Sequence, residues 1–226
     1  MARRTVTPGQ ATAPVRSQVV LHRRSVDAER RGSVTAVSTG ESHEPEPILV
    51  EVTRSGYVES VHRGSCVVIA PDGAIHTTLG NPTRATFPRS ANKAMQAVAM
   101  VSAGLDLPPA LLALAAASHS GETMHLEGVR AILSSCELSV GALGNARGLP
   151  LGRDALRAWY REGRRSEQIA HNCSGKHSAM LATCVAAGWP IDGYLTMDHP
   201  LQTSITEVVE ELAQESCDGI DRKSVV

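Results

Sequence analysis

The sequence predicts an α+β fold in which an antiparallel sheet comes first and a set of helices follows. Short alternating or β-branched runs crowd residues 48–79, whereas after Pro88 the apolar residues recur at helical spacing, and no strand–helix–strand unit repeats. Aromatic residues make up only 3% of the 226, so the core is filled by Ala, Val and Leu, a composition that suits closely approaching helices.

Bulk properties narrow the function classes. Hydrophobic residues at 42% and charged residues at 20% fit a soluble globular protein. A net charge of −1 offers no basic excess for nucleic acid. No apolar run reaches the length of a bilayer crossing, so neither nucleic acid nor membrane is an expected partner. Five cysteines, an odd number, and no charged-then-apolar leader point to a cytoplasmic protein whose thiols are free or metal-bound.

Residues 1–46 hold seven arginines, no aromatic and little hydrophobic periodicity, and are expected to form a disordered N-terminal extension. Such an Arg-rich leader also suits a targeting peptide or a nucleic-acid arm, but its five acidic residues dilute that reading. Order is expected from residue 47. Residues 48–52 alternate as a strand, 57–61 form a weaker one, and 66–69 and 74–79 flank the turn residues Pro71-Asp72-Gly73. A helix over 90–103 stops at Gly104, and Pro108-Pro109 open a second one running to 117. Further helices are expected over 121–134, 153–162, 177–187 (stopped by Gly188) and 200–213. The last carries Ile205, Val208, Val209 and Leu212 on one face.

Three segments hold residues suited to chemistry. In Arg89-Ser90-Ala91-Asn92-Lys93, three residues make nearly one helical turn, which sets Lys93 over Ser90. A helix start disfavours a protonated amine, so Lys93 suits the task of taking the Ser90 proton. The plain alternative is that Ser90 caps the helix and Lys93 is solvated. In Ala117-Ser118-His119-Ser120-Gly121-Glu122, Ser118 or Ser120 can relay a proton and His119 can act as a base, against simple capping by Ser120. In His171-Asn172-Cys173-Ser174-Gly175-Lys176-His177, a cysteine at a helix start should have a lowered pKa and suits a metal ligand or nucleophile. His171 and His177 are zinc ligands by residue type, yet no paired-ligand spacing is present, and a buried thiol beside a turn is the alternative. Cys66, Cys136 and Cys184 read as packing residues.

Together and in order, these segments resemble the rhizobial-type, serine-dependent and zinc-associated L-asparaginases. Gly80-Asn81-Pro82-Thr83-Arg84, Asp198-His199-Pro200-Leu201-Gln202 and the opening Val50-Glu51-Val52-Thr53-Arg54-Ser55-Gly56 share in the likeness, which covers residues 47–215. The resemblance implies a fold like that of serine beta-lactamases and glutaminases, here incomplete. It also implies hydrolysis of L-asparagine to L-aspartate and ammonia. It places the nucleophile and its partner on Ser90 and Lys93, a second active-site serine on Ser118, and two zinc ligands on Cys173 and Lys176. Two further ligands, from an Asp-Gly-Cys segment, and a second lysine would fall beyond Val226; Cys217-Asp218-Gly219 has the wrong order and comes too early.

The expectation is therefore a C-terminally truncated member: a partial domain over 47–220, a non-native tail over 221–226, impaired activity and an incomplete zinc site. A homodimer is a further expectation. The rivals are a beta-lactamase-like serine hydrolase, whose Ser-Asp-Asn and Lys-Thr-Gly motifs do not appear, and a catalytically dead fragment acting only in binding.

Overall fold

A computed structural model describes residues 18–21 and 46–217. The chain forms two compact units, Met1–Thr86 and Phe87–Val226, so the domain expected over 47–220 comprises parts of both. Strands lie in the first and helices in the second, the α+β order expected.

In the first unit, β2 (Ile48–Arg54) pairs antiparallel with β3 (Tyr57–Arg63). Ser55 and Gly56 join them with φ of 50° and 84°, the backbone that a two-residue hairpin turn needs to match the strand twist. The Ser-Gly pair is the turn signal that turns the weak 57–61 reading into a full seven-residue strand. Four residues of the extension expected to be disordered, Gln18–Leu21, form β1, which pairs with β2. The run Gln-Val-Val-Leu suits an edge strand; apart from it and Glu46, that extension lies outside the described residues.

A second hairpin joins β4 (Cys66–Ile69) to β5 (Ile75–Leu79). Its turn is closed by the Ala74 amide donating to Asp72 Oδ1 at 3.0 Å and by Gly73 at φ 83°. Glu46 ties this unit together. It accepts from the Ser65 hydroxyl at 2.8 Å and from Arg84 Nη1 at 2.9 Å, and these two partners hold its carboxyl below the usual carboxylate range. Gly80, at φ 75°, lies where any Cβ would fall 2.5 Å from Ser65 Oγ.

In the second unit, α1 (Lys93–Ser102), α2 (Pro109–Ala115), α3 (Thr123–Ser135), α4 (Arg153–Arg161), α5 (Ser174–Ala187) and α6 (Pro200–Ala213) enclose the hydrophobic core. Every residue of α5 from Ser174 to Cys184 is buried, which makes α5 the central helix. Its Met180 and Leu181 share the core with Met100 of α1, Val129 and Ile132 of α3 and Ile205 of α6. Gly175 allows that packing: a Cβ there would sit 2.7 Å from the Leu114 carbonyl oxygen on α2.

Helix boundaries differ from expectation for local reasons. The helix expected from residue 90 opens as a 3-10 turn over Arg89–Asn92, after Arg89 takes a left-handed φ of 53°. Gly121 at φ 80° delays α3 to Thr123, and α5 begins one turn early, at Ser174. The stops at Gly104 and Gly188 are as expected, with Leu105 N–H bonding Met100 O and Trp189 N–H bonding Cys184 O. Of the apolar face expected on α6, Ile205 and Val209 are buried while Leu212 is 51% exposed in the helix's last turn.

Candidate functional site

The site forms where α1, the end of α2 and the start of α5 meet. Two contacts hold the loops: Gly175 lets α5 approach α2, and the His119 amide donates to the Asn172 carbonyl at 3.1 Å. The loop after α2 is shaped further by Gly121, whose Cβ would meet Pro150 at 2.8 Å, and by the Gly152 amide donating to Ser120 O.

Lys93 is the best-placed group. It is 2% exposed, and its Nζ donates to Ser118 Oγ at 2.8 Å and to the Ala117 carbonyl at 3.1 Å. The solvated alternative for Lys93 therefore does not hold. Ser90 lies in the 3-10 turn, three residues before Lys93. The Ser90 carbonyl accepts from the Lys93 amide, but no side-chain hydrogen bond joins Ser90 to Lys93 or Ser118 among the described residues. Both serines are exposed. The left-handed backbone at Arg89 is a strained position for a non-glycine residue and directly precedes Ser90.

Cys173 caps α5. Burial alone would raise its pKa, but hydrogen bonds from His171 and Lys93 and the Lys93 charge outweigh that and bring the thiol down to about 7. Lys176, one turn on and 3% exposed, is lowered to about 8 by burial and the Lys93 charge, with Cys173 opposing. A thiolate and a softened amine on one helical turn are donors a zinc ion accepts. Among the described residues, however, no three His, Cys, Asp or Glu gather where a metal could sit, so these two fall short of the four ligands zinc takes.

The histidines are engaged elsewhere. His119 is lowered to about 4, mainly by burial and then by the charges of His125, Lys93 and His171, and both ring nitrogens are hydrogen-bonded. Of the two readings of this segment, these contacts do not favour His119 as a base. His177 Nδ1 lies 3.0 Å from the Tyr194 hydroxyl, which itself accepts from the Gly144 amide. Burial drives His177 down to about 3 and Tyr194 up to about 12. His171 Nδ1 accepts from the Cys173 amide. His199 caps α6 through Nδ1 and donates from Nε2 to the Pro190 carbonyl, a structural use of the Asp198-His199-Pro200 segment. Ser120 donates to Glu122, and Cys184 is buried and raised to about 11.

Sequence reasoning missed Tyr194, His125 and the role of Ser174. Ser174 stood inside a motif already singled out. Tyr194, one of three tyrosines, was signalled only by the rarity of aromatic residues. Asn92, buried beside Lys93, leaves both side-chain amide atoms without a partner among the described residues.

A family model for L-asparaginase II matches residues 50–222, a span that holds every one of these groups. The chain belongs to the L-asparaginase II family. No curated protein matches it. Membership in this L-asparaginase family gives asparagine amide hydrolysis as the family chemistry. No helix among the described residues is long and apolar enough to cross a membrane.

Proposed function

We propose that the chain hydrolyses L-asparagine to L-aspartate and ammonia through a serine acyl-enzyme, in the manner of the rhizobial-type enzymes. The observation that carries this reading is the buried Lys93 amine in hydrogen-bond contact with the Ser118 hydroxyl at 2.8 Å. A buried amine on a serine, three residues along the chain from a second serine, is what proton transfer between nucleophile and leaving group needs.

In the reaction so read, Ser90 Oγ attacks the side-chain amide carbon as Lys93, in its free-amine form, takes the hydroxyl proton. The C–N bond breaks, and Ser118 passes a proton from Lys93 to the departing nitrogen, which leaves as ammonia. Water then adds to the ester carbon, giving its proton back through Lys93, and Ser90 leaves as the hydroxyl. Zinc at Cys173 and Lys176 would need ligands from outside the described residues; none of these steps runs through it.

One observation favours a second assignment on the same groups. Because the Lys93 amine is hydrogen-bonded to the Ser118 hydroxyl and, among the described residues, to no side-chain atom of Ser90, Ser118 can be the nucleophile with Lys93 as its base. Ammonia release from L-asparagine by the purified chain tests the activity, and mass spectrometry after incubation with β-aspartyl hydroxamate locates the acyl group. Acylation at position 90, lost in Ser90→Ala and kept in Ser118→Ala, supports the main reading. Acylation at 118 supports the second. Ammonia release unchanged in both variants rejects a serine mechanism. Nitrocefin hydrolysis without asparagine turnover would instead favour the beta-lactamase-like rival.

A further inference from the structure

A chain of hydrogen bonds with a single allowed direction closes the loop that carries Ser118. The Gly121 amide donates to His119 Nδ1 at 3.2 Å. A backbone amide only donates, so Nδ1 carries no proton, and the neutral ring must hold its proton on Nε2. Nε2 then donates to Ser174 Oγ at 2.8 Å, and the Ser174 hydroxyl donates to the Ile169 carbonyl at 2.8 Å. The backbone of the same residue is pinned by the His119 amide on the Asn172 carbonyl at 3.1 Å. The ring is 4% exposed and stacks on His125 with centroids 5.3 Å apart. No nitrogen of His119 remains for a substrate.

We propose that His119 is a positioning residue: a neutral imidazole latch that ties the loop after α2 to the first turn of α5 and so holds Ser118, its chain neighbour, on the Lys93 amine. This rests on the reading that Ser118 and Lys93 move protons during amide hydrolysis. The latch itself exchanges no proton. Its contribution is geometric, and a displacement of about 1 Å at a proton-transfer contact is enough to cost on the order of a hundredfold in rate. A proton on Nδ1 would face the Gly121 amide donor and break the chain.

Three substitutions separate the two ends of the latch. His119→Gln keeps a donor at the Nε2 position, His119→Asn keeps an acceptor at the Nδ1 position, and His119→Phe keeps the ring while losing both. Each is measured for kcat and KM on L-asparagine, for Tm, and by crystallography. The expected result for His119→Phe is a Ser118 Oγ–Lys93 Nζ separation beyond hydrogen-bond reach. Its kcat should be about a hundredfold lower, with KM changed by no more than roughly twofold. His119→Gln should recover most of that loss. Ser174→Ala should act in the same direction by a smaller factor, and the double variant should be no worse than His119→Phe alone, because both residues belong to one chain.

The proposal is overturned if His119→Phe keeps the Ser118–Lys93 contact. It is also overturned if kcat falls equally in His119→Gln and His119→Phe, or if the two effects simply add. If His119→Phe does not fold, Ser174→Ala carries the structural measurement. Should the wild-type chain release no ammonia from asparagine, the hydrolase reading fails. The Ser118–Lys93 separation in the variant crystals still decides the latch.

Discussion

The two units are held together by different forces. In the helical unit the core is continuous: Met100, Ile132, Leu133, Met180 and Ile205 are all fully enclosed, and the buried polar groups are threaded among them. In the strand unit no described residue is buried. The apolar residues of β2 are half-buried, and several others face outward, with Tyr57 at 81%, Ile69 at 61% and Ile75 at 62% exposure. Backbone ladders and the Glu46 clamp to Ser65 and Arg84 hold its shape instead. The comparison teaches where a precise site can be built. Lys93, Ser118, Cys173 and Lys176 all belong to the unit whose packing is close enough to fix a side chain to within an ångström.

The largest effect that would break or sharpen this contrast is a core truncation. Met180→Ala should cost about 2–5 kcal/mol in denaturant unfolding, since it leaves a cavity in the central helix, whereas Val68→Ala on an exposed strand should stay within about 0.5 kcal/mol. Equal losses at the two positions would refute the division of labour. Gly175→Ala comes next. Its methyl would meet the Leu114 carbonyl oxygen at 2.7 Å as well as Leu114 Cγ at 2.8 Å, and the backbone contact cannot be relieved by a side-chain rotation, so α2 and α5 must separate. The expected cost is about 1–3 kcal/mol, together with a loss of asparagine turnover larger than the stability change accounts for.

A smaller, chemical difference separates two thiols of the helical unit. In protein treated with a chelator, Cys173 should be alkylated by iodoacetamide with a midpoint near pH 7, its rate rising about tenfold from pH 6 to pH 8 as the thiolate forms. Cys184, buried and raised to about 11, should stay unmodified over the same range. A Cys173 midpoint near the ordinary thiol value would show that Lys93 and His171 do not act on it as the geometry requires. The smallest effect is local. Glu46→Gln removes the charge that Arg84 pairs with, so amide exchange should speed up across residues 80–84 and leave the amides of α5 unchanged.

Periodicity and punctuation made most elements legible. The glycines at 104 and 188, the prolines at 109 and 200 and the Pro71-Asp72-Gly73 turn stand where the expected boundaries lie, because each acts through its own backbone or its immediate neighbours. The family was legible too, since it rests on the order of short motifs along the chain. The candidate residues of the site are legible in the same motifs.

What the sequence by itself determined, then, is the α+β order, the family and the residue types at positions 90, 93, 118, 173 and 176. Only the tertiary structure decided how they are wired: that the Lys93 amine is hydrogen-bonded to the Ser118 hydroxyl, that both ring nitrogens of the buried His119 are hydrogen-bonded, and that Lys93, eighty residues earlier in the chain, adds to the lowering that His171 exerts on Cys173. The reason is physical. Propensity and capping act over a few residues, whereas burial, hydrogen-bond direction and charge depend on groups that the chain brings together only when α2 settles against Gly175.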